Sequence, residues 1–285
     1  MIFFFIFTFL VINFIYIKTW NKFSVKVPTG IGVFLTIPCF FFYLDHNLYY
    51  LNIALILIFS FIYYLDDLIE INFFFRILLQ IFASIVIYFS FTIEVNFIII
   101  LFNLLAFLIL VNTLNFQDGE DLNIATFLII IFCIFYFYSE NKFVQNTSVV
   151  ILFFIISFFL FNMKKKFLYF GDSGCYFVSI IIFLFLYKEI NNDTLIKLLI
   201  AVIVYPIIDV FYVIIYRIFK KQNLLSRNYL HLYQTIAQKF NSKFYLLPII
   251  FFSAVNIFTS LHFSLGKNFI IFCLLQILFY YHLYV

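Results

Sequence analysis

Charge is what this chain has least of. Only 11% of its residues are Asp, Glu, Lys or Arg, against roughly 25% in a soluble globular domain, and that shortage excludes an ordinary water-soluble fold. Cysteine is scarce as well. Cys39, Cys133, Cys175 and Cys273 fall in or beside apolar runs with no metal-ligand spacing, which excludes a thiolate metal site and leaves them as small buried hydrophobes. No internal repeat of the kind that pairs the halves of many transporters is visible. No basic residue precedes the first apolar run, Met1 to Ile17, and no small-residue cleavage site follows it, so it does not read as a signal peptide.

What the chain has instead is hydrocarbon. Of its 285 residues, 66% are hydrophobic, and the mean hydropathy is +1.15. At roughly 20 apolar residues per span, about eleven such runs take up most of the length and leave no room for a separate soluble domain. The expected fold class is an all-α integral membrane protein, one polytopic domain over residues 1–285. Lys18, Lys22 and Lys26 follow the first run, and the positive-inside rule puts the N-terminus outside and the C-terminus in the cytoplasm. Of the 17 lysines and arginines, only Lys142, Lys188, Lys197 and Lys267 then fall on or near the outer side. A net charge of +4 is thereby explained by topology and does not point to nucleic acid. The 49 Phe and 21 Tyr fit the base composition of a source genome as well as any cofactor and carry no functional weight.

Against that background the polar clusters stand out. A charge inside hydrocarbon costs at least about 2.5 to 3.5 kcal/mol, so the acids and amides of Asn112-Thr-Leu-Asn115-Phe-Gln-Asp118-Gly119-Glu120-Asp121 must lie at an aqueous edge or bind something. The proposed topology brings this stretch to the cytoplasmic side. There it joins Pro28-Thr29-Gly30-Ile31-Gly32, the pair Asp66-Asp67, the Phe170-Gly171-Asp172-Ser173-Gly174 segment and His231. The active-site loops are expected at 18–30, 66–72, 112–121, 164–174 and 220–243. Taken alone, Asp172 beside glycines at a helix start reads as an N-cap or a metal ligand, with the cap favoured. Asp209 lies about 12 Å along a helix from Arg217, at 1.5 Å per residue, and reads either as functional or as an orienting partner for a neighbouring basic or amide group.

Together these pieces, from about Lys26 to Gln234, resemble the polyprenyl-phosphate N-acetylhexosamine-1-phosphate transferases of glycosyltransferase family 4. That membrane family starts peptidoglycan lipid intermediates, O-antigen and teichoic acid linkage units. The resemblance implies transfer of a sugar 1-phosphate from a UDP-activated N-acetylhexosamine, or a 6-deoxy relative, onto undecaprenyl phosphate in the bacterial cytoplasmic membrane, releasing UMP. It implies a Mg²⁺ ion, with Mn²⁺ as an alternative, held by Asp172 and Asn115. Asp66, Asp67 and Asp172 take the catalytic roles. Lys26, Asn112, Asn115, Asp118, Asp121 and His231 take substrate-binding ones. A homodimer is left open.

Three departures stand out. Thr29 and Ile31 occupy positions where the family often has Arg and Gly, so the phosphate-facing cation becomes Lys26. Leu122 stands where glycine is common. His231-Leu-Tyr233-Gln234 is closer to the O-antigen branch than to His-x-His-His enzymes, and another register puts Tyr229 on the first histidine of that motif.

Phosphoryl transfer asks a protein mainly for positioning and charge neutralisation. A phosphate monoester has a second pKa near 6, so the lipid phosphate is already largely a dianion. Single displacement, with Asp66 and Asp67 orienting the nucleophile, is preferred over a phosphorylated Asp. The competing class is a membrane transporter or lipid-binding protein with an intramembrane cation site.

Overall fold

The computed structural model describes residues 2–23, 27–36, 50–69, 71–92, 95–164, 167–223, 229–240, 243–262 and 276. All regular structure among these residues is helical. The helices are α1 (Ile2–Phe23), α2 (Tyr50–Ile69), α3 (Phe73–Phe91), α4 (Phe97–Gln117), α5 (Asn123–Tyr138), α6 (Lys142–Asn162), α7 (Gly171–Lys188), α8 (Asp193–Phe219), α9 (Leu232–Phe240) and α10 (Leu246–His262). Short 3-10 turns lie at Ile31–Leu35 and Lys243–Tyr245.

Most of the expected spans are therefore helices. The second apolar run, 31–44, is described only as far as Thr36 and opens as the 3-10 turn. The eleventh, 268–284, lies outside the described residues apart from Gln276. The expected loop 220–243 contains helix α9, which periodicity alone did not reveal. Six helical stretches among the described residues are long and apolar enough to cross a membrane: Phe73–Phe91, Phe97–Gln117, Lys142–Asn162, Gly171–Lys188, Asp193–Phe219 and Lys243–His262. A chain with that many apolar helices fits a multi-pass membrane protein.

The many asparagines have a local job. The first N–H groups of a helix lack intrahelical acceptors, and an Asn at the N-cap supplies one. Asn72, Asn96, Asn141 and Asn192 accept from the backbone N–H of Phe74, Ile98, Phe143 and Leu195 at 2.9 to 3.1 Å, which starts α3, α4, α6 and α8. Helix α7 is different. Its N-cap position is Phe170, whose side chain accepts nothing.

The chain divides into two compact units, Met1–Asn191 and Asn192–Val285. In the first unit, α7 is the core helix and packs against α2, α3, α4 and the 3-10 turn at Ile31–Leu35. Of its apolar window 78% is buried, against 28% for α4, so α4 turns most of its surface outward, with Phe97, Ile98 and Phe102 exposed. Helices α5 and α6 form a hairpin, and α1 lies on α6. There Asn13 Nδ2 donates to Ser157 Oγ at 3.0 Å and Phe9 meets Phe154 edge-on. At the C-terminal end of α7 the buried Glu189 carboxylate accepts from the Ser139 hydroxyl and, at 3.0 Å, from the Asn141 N–H. It pins the α5–α6 connection. In the second unit α8 packs on α10, with Tyr205 stacked on Phe252 and Asn256 Nδ2 donating to the Ala201 carbonyl at 2.9 Å.

Candidate active site

The start of α7 collects the polar motifs of the first unit. Because Phe170 offers no cap, the orphan N–H groups of α7 are satisfied from elsewhere in the chain. Gly171 N–H donates to Asp118 Oδ2 at 2.7 Å, Asp172 N–H to Asp67 Oδ1 at 2.8 Å, and Ser173 N–H to Asp67 Oδ2 at 3.1 Å. The Ser173 hydroxyl also donates to Asp67 Oδ2, at 2.8 Å. Asp67 of α2 and Asp118 at the end of α4 thus supply the acceptors that the first N–H groups of α7 lack. The expectation that Asp172 caps its own helix gives way to a cap supplied by Asp67 and Asp118.

Backbone closeness makes this possible. Gly30 and Gly171 have φ of +84° and +83°, the left-handed region that glycine enters at no steric cost. A Cβ on Gly171 would overlap the Gly30 backbone and the Asp67 carboxylate. Tyr169 N–H donates to the Pro28 carbonyl at 2.8 Å and Gly32 N–H to the Phe170 carbonyl at 3.2 Å, which ties the first loop to the segment before Asp172. The Tyr16 hydroxyl donates to the Thr29 carbonyl, and Thr29 Oγ1 lies 3.4 Å from Asp67 Oδ1.

Beside this clamp lies a charged centre. Arg76, in the first turn of α3, places Nη1 3.0 Å from Asp172 Oδ2 and Nε 2.9 Å from Asp66 Oδ2. The single Nε hydrogen points to the Ile71 carbonyl at 3.1 Å, so Asp66 Oδ2 is paired in charge but receives no directed hydrogen bond. Asp66 Oδ1 accepts from Ile71 N–H at 2.6 Å. The Asp66 side chain is fully buried, whereas Arg76 and Asp172 keep 27% and 24% of their side-chain surface. The open edge of this centre is therefore Asp172 and Arg76, with Asp66 behind them. Sequence reading counted Arg76 only as a topological cation. Its signal was a lone arginine inside an apolar run, nine residues after the acid pair.

The remaining expected residues fall into distinct places. Asn115 sits in the last turn of α4, partly exposed, and its amide has no partner among the described residues. Asn112 Nδ2 donates to Gln80 Oε1 at 3.1 Å and to the Leu108 carbonyl at 2.8 Å. Asp121 is buried in the turn before α5. The next residue, Leu122, has φ +67°, the left-handed region, where a side chain costs about 1 to 2 kcal/mol. Its N–H donates to Asn162 Oδ1, and Asn162 Nδ2 donates to the Leu168 carbonyl, so that one amide joins the turn to the segment leading into α7. Burial pushes the Asp118 carboxyl up to about 8; the Gly171 N–H opposes the rise, and the Asp67 and Asp172 charges add to it. Lys26 lies outside the described residues.

His231 belongs to the second unit. It precedes α9, its Nδ1 lies 3.0 Å from Asp209 Oδ2, and Leu232 N–H donates to Asp209 Oδ1 at 2.9 Å. The side chain of Gln234 reaches back to accept from the His231 N–H at 3.3 Å, one half of a capping box. Asp209, whose purpose the sequence left open between two roles, orients His231 and caps α9.

Among the described residues no three His, Cys, Asp or Glu side chains group closely enough to hold a metal on their own. Asp66 and Asp172 are nevertheless drawn together by one guanidinium cation, and Asp66 Oδ2 lacks a directed donor. Hard oxygen donors of this kind fit Mg²⁺, which keeps waters and takes substrate oxygens to complete an octahedron.

Residues 48–189, about half of the chain, match the family model "Glycosyl transferase family 4". The chain belongs to that family. The matched stretch contains Asp66, Asp67, Arg76, Asn115, Asp118 and Asp172. No curated protein sequence is significantly similar to the chain. Its class is thus a multi-pass membrane transferase that uses a polyprenyl phosphate and a nucleotide sugar.

Proposed function

We propose that this protein moves a sugar 1-phosphate from a UDP-activated N-acetylhexosamine, or its 6-deoxy form, to undecaprenyl phosphate, releasing UMP. It would do so on the cytoplasmic face of a bacterial inner membrane, as the first membrane step of O-antigen or related envelope polysaccharide synthesis. The observation that carries this reading is the Asp66–Arg76–Asp172 centre, half open at Asp172 and Arg76 and closed behind by Asp66. Its position at the end of apolar helices suits a reaction between a lipid phosphate and a water-soluble nucleotide.

Two anions must approach each other in this reaction, so neutralisation comes first. Asp172 and Asn115 would hold Mg²⁺, and the ion when bound supplies Lewis-acid polarisation and charge neutralisation at the donor diphosphate. Arg76 offers a fork of donors suited to phosphate oxygens. Asp66, buried behind it, acts on the lipid phosphate through Arg76, whose guanidinium it holds in place. Asp67 acts differently, because its oxygens already hold the N–H groups of α7. It fixes where Asp172 stands. His231, oriented by Asp209, serves the sugar or the leaving phosphate.

The test is to identify the nucleotide released. Purified protein with Mg²⁺, undecaprenyl phosphate and a panel of UDP-N-acetylhexosamines and 6-deoxy forms should yield UMP and a lipid diphosphate sugar. Release of UDP instead would mean transfer of the sugar alone and would contradict the proposal.

A further inference from the structure

We infer that Gln80 and Tyr176 are positioning residues, a second rung between α3 and α7 that sets the geometry of the Arg76–Asp172 rung above it. The inference rests on the proposed transferase reading of that upper rung. Arg76 and Gln80 are four residues apart on α3, as Asp172 and Tyr176 are on α7, so each pair lies on one face of its helix. The upper rung is Arg76 Nη1 to Asp172 Oδ2 at 3.0 Å. The lower rung is Gln80 Nε2 to Tyr176 Oη at 2.7 Å.

The lower rung is enclosed where the upper one is open. Gln80 and Tyr176 are 2% and 3% exposed. A polar side chain buried in an apolar helix bundle is costly unless it is bonded, and a bonded one is directional, whereas apolar contact at this level would let α3 slide along α7. Two further helices join the rung. Asn112 of α4 donates to Gln80 Oε1 at 3.1 Å. Tyr63 of α2 stacks face to face on Tyr176, with centroids 3.4 Å apart and planes 5° from parallel, and its hydroxyl donates to the Arg76 carbonyl at 3.3 Å. Helix α2 also carries Asp66. The three helices that present Asp66, Arg76 and Asp172, together with α4, are therefore registered against one another by this largely buried layer.

In-line transfer between two phosphates tolerates little misplacement, and about 1 Å can cost around 100-fold in rate. The experiment is a double-mutant cycle on the purified full-length protein. Tyr176→Phe keeps the ring and its stack on Tyr63 and removes only the hydroxyl; Gln80→Met provides a second variant. The rate of UMP release, KM and melting temperature are measured in the natural background and with Arg76→Lys. Tyr176→Phe should lower kcat about tenfold with KM within about twofold, and should change kcat less than about twofold once Arg76 is Lys, because coupled sites are non-additive. The same loss in both backgrounds, or a lower melting temperature with unchanged kcat, overturns the inference. If the natural protein or Arg76→Lys shows no turnover, the melting temperatures decide: coupled shifts support the rung and additive shifts overturn it. A natural protein that releases no UMP counts against the proposed function, whereas additive effects in an active protein count against the rung alone.

Discussion

A carboxylate offers two oxygens and about four lone-pair positions, and at Asp67 four donors fill them: the Asp172 and Ser173 N–H groups, the Ser173 hydroxyl and the Thr29 hydroxyl. Asp66, its neighbour in sequence, keeps one oxygen for charge pairing with Arg76. Adjacent acids thus have separate tasks. The pair was visible in the sequence as two carboxylates at a span end, but which oxygen meets which N–H depends on residues about a hundred positions away. Asp118 carries a consequence for pH. Its folded pKa, pushed up to about 8, exceeds the roughly 3.9 of an unfolded Asp. Between those values the folded protein holds a proton that the unfolded chain has released, so stability falls as pH rises from about 4 to about 8. Asp118→Asn, which mimics the neutral acid, should flatten this trend. Measured without substrate from pH 5 to 8.5, the melting temperature of the natural protein should drop relative to the variant. Parallel curves would place the Asp118 pKa in the ordinary range.

Helices α7 and α9 share a construction. At its start each receives a carboxyl group from elsewhere in the chain, Asp67 with Asp118 for α7 and the buried Asp209 for α9. Four other helices start on asparagines that a sequence reader can find, because an N-cap is local in the chain. The borrowed caps were not legible, and neither was α9, nine residues within a polar stretch. Arg76 and Gln80 carried a signal, polar residues one turn apart in an apolar run, that the sequence reading did not use. The roles of Asp67 and Asp209 emerge only when helices are brought together. Asp209→Ala removes both the Leu232 N–H acceptor and the His231 partner. It should lower stability by about 1 to 2 kcal/mol, the usual cost of a lost cap, read as a lower denaturation midpoint in detergent. An unchanged midpoint would mean that α9 does not depend on Asp209.

For the whole molecule, the apolar runs were legible because hydrocarbon demands unbroken stretches of about 20 residues. Their convergence on one end of the first unit was legible as well: residues near 30, 67, 118 and 172 do meet at the start of α7. At the other end of that unit Glu189 gathers Ser139 and Asn141. The proposed orientation makes the first end cytoplasmic and the second external. In a background with its four cysteines replaced, a single cysteine at Glu140 should react with an impermeant thiol reagent added outside spheroplasts. One at Met163 should react only after the membrane is opened. The reverse pattern would invert the topology and move the site to the outer face.

The central claim is that Asp172, with Arg76 and Asp66, forms the transfer centre, and the most direct measurement compares the natural protein with Asp172→Asn in one UMP-release assay at matched folded concentration. Asp172→Asn should release UMP at least about 100-fold more slowly, the scale of losing one charge-stabilising group, with added Mg²⁺ failing to restore it and the melting temperature close to that of the natural protein. Turnover within about twofold of the natural protein, at equal folded concentration, would contradict the account.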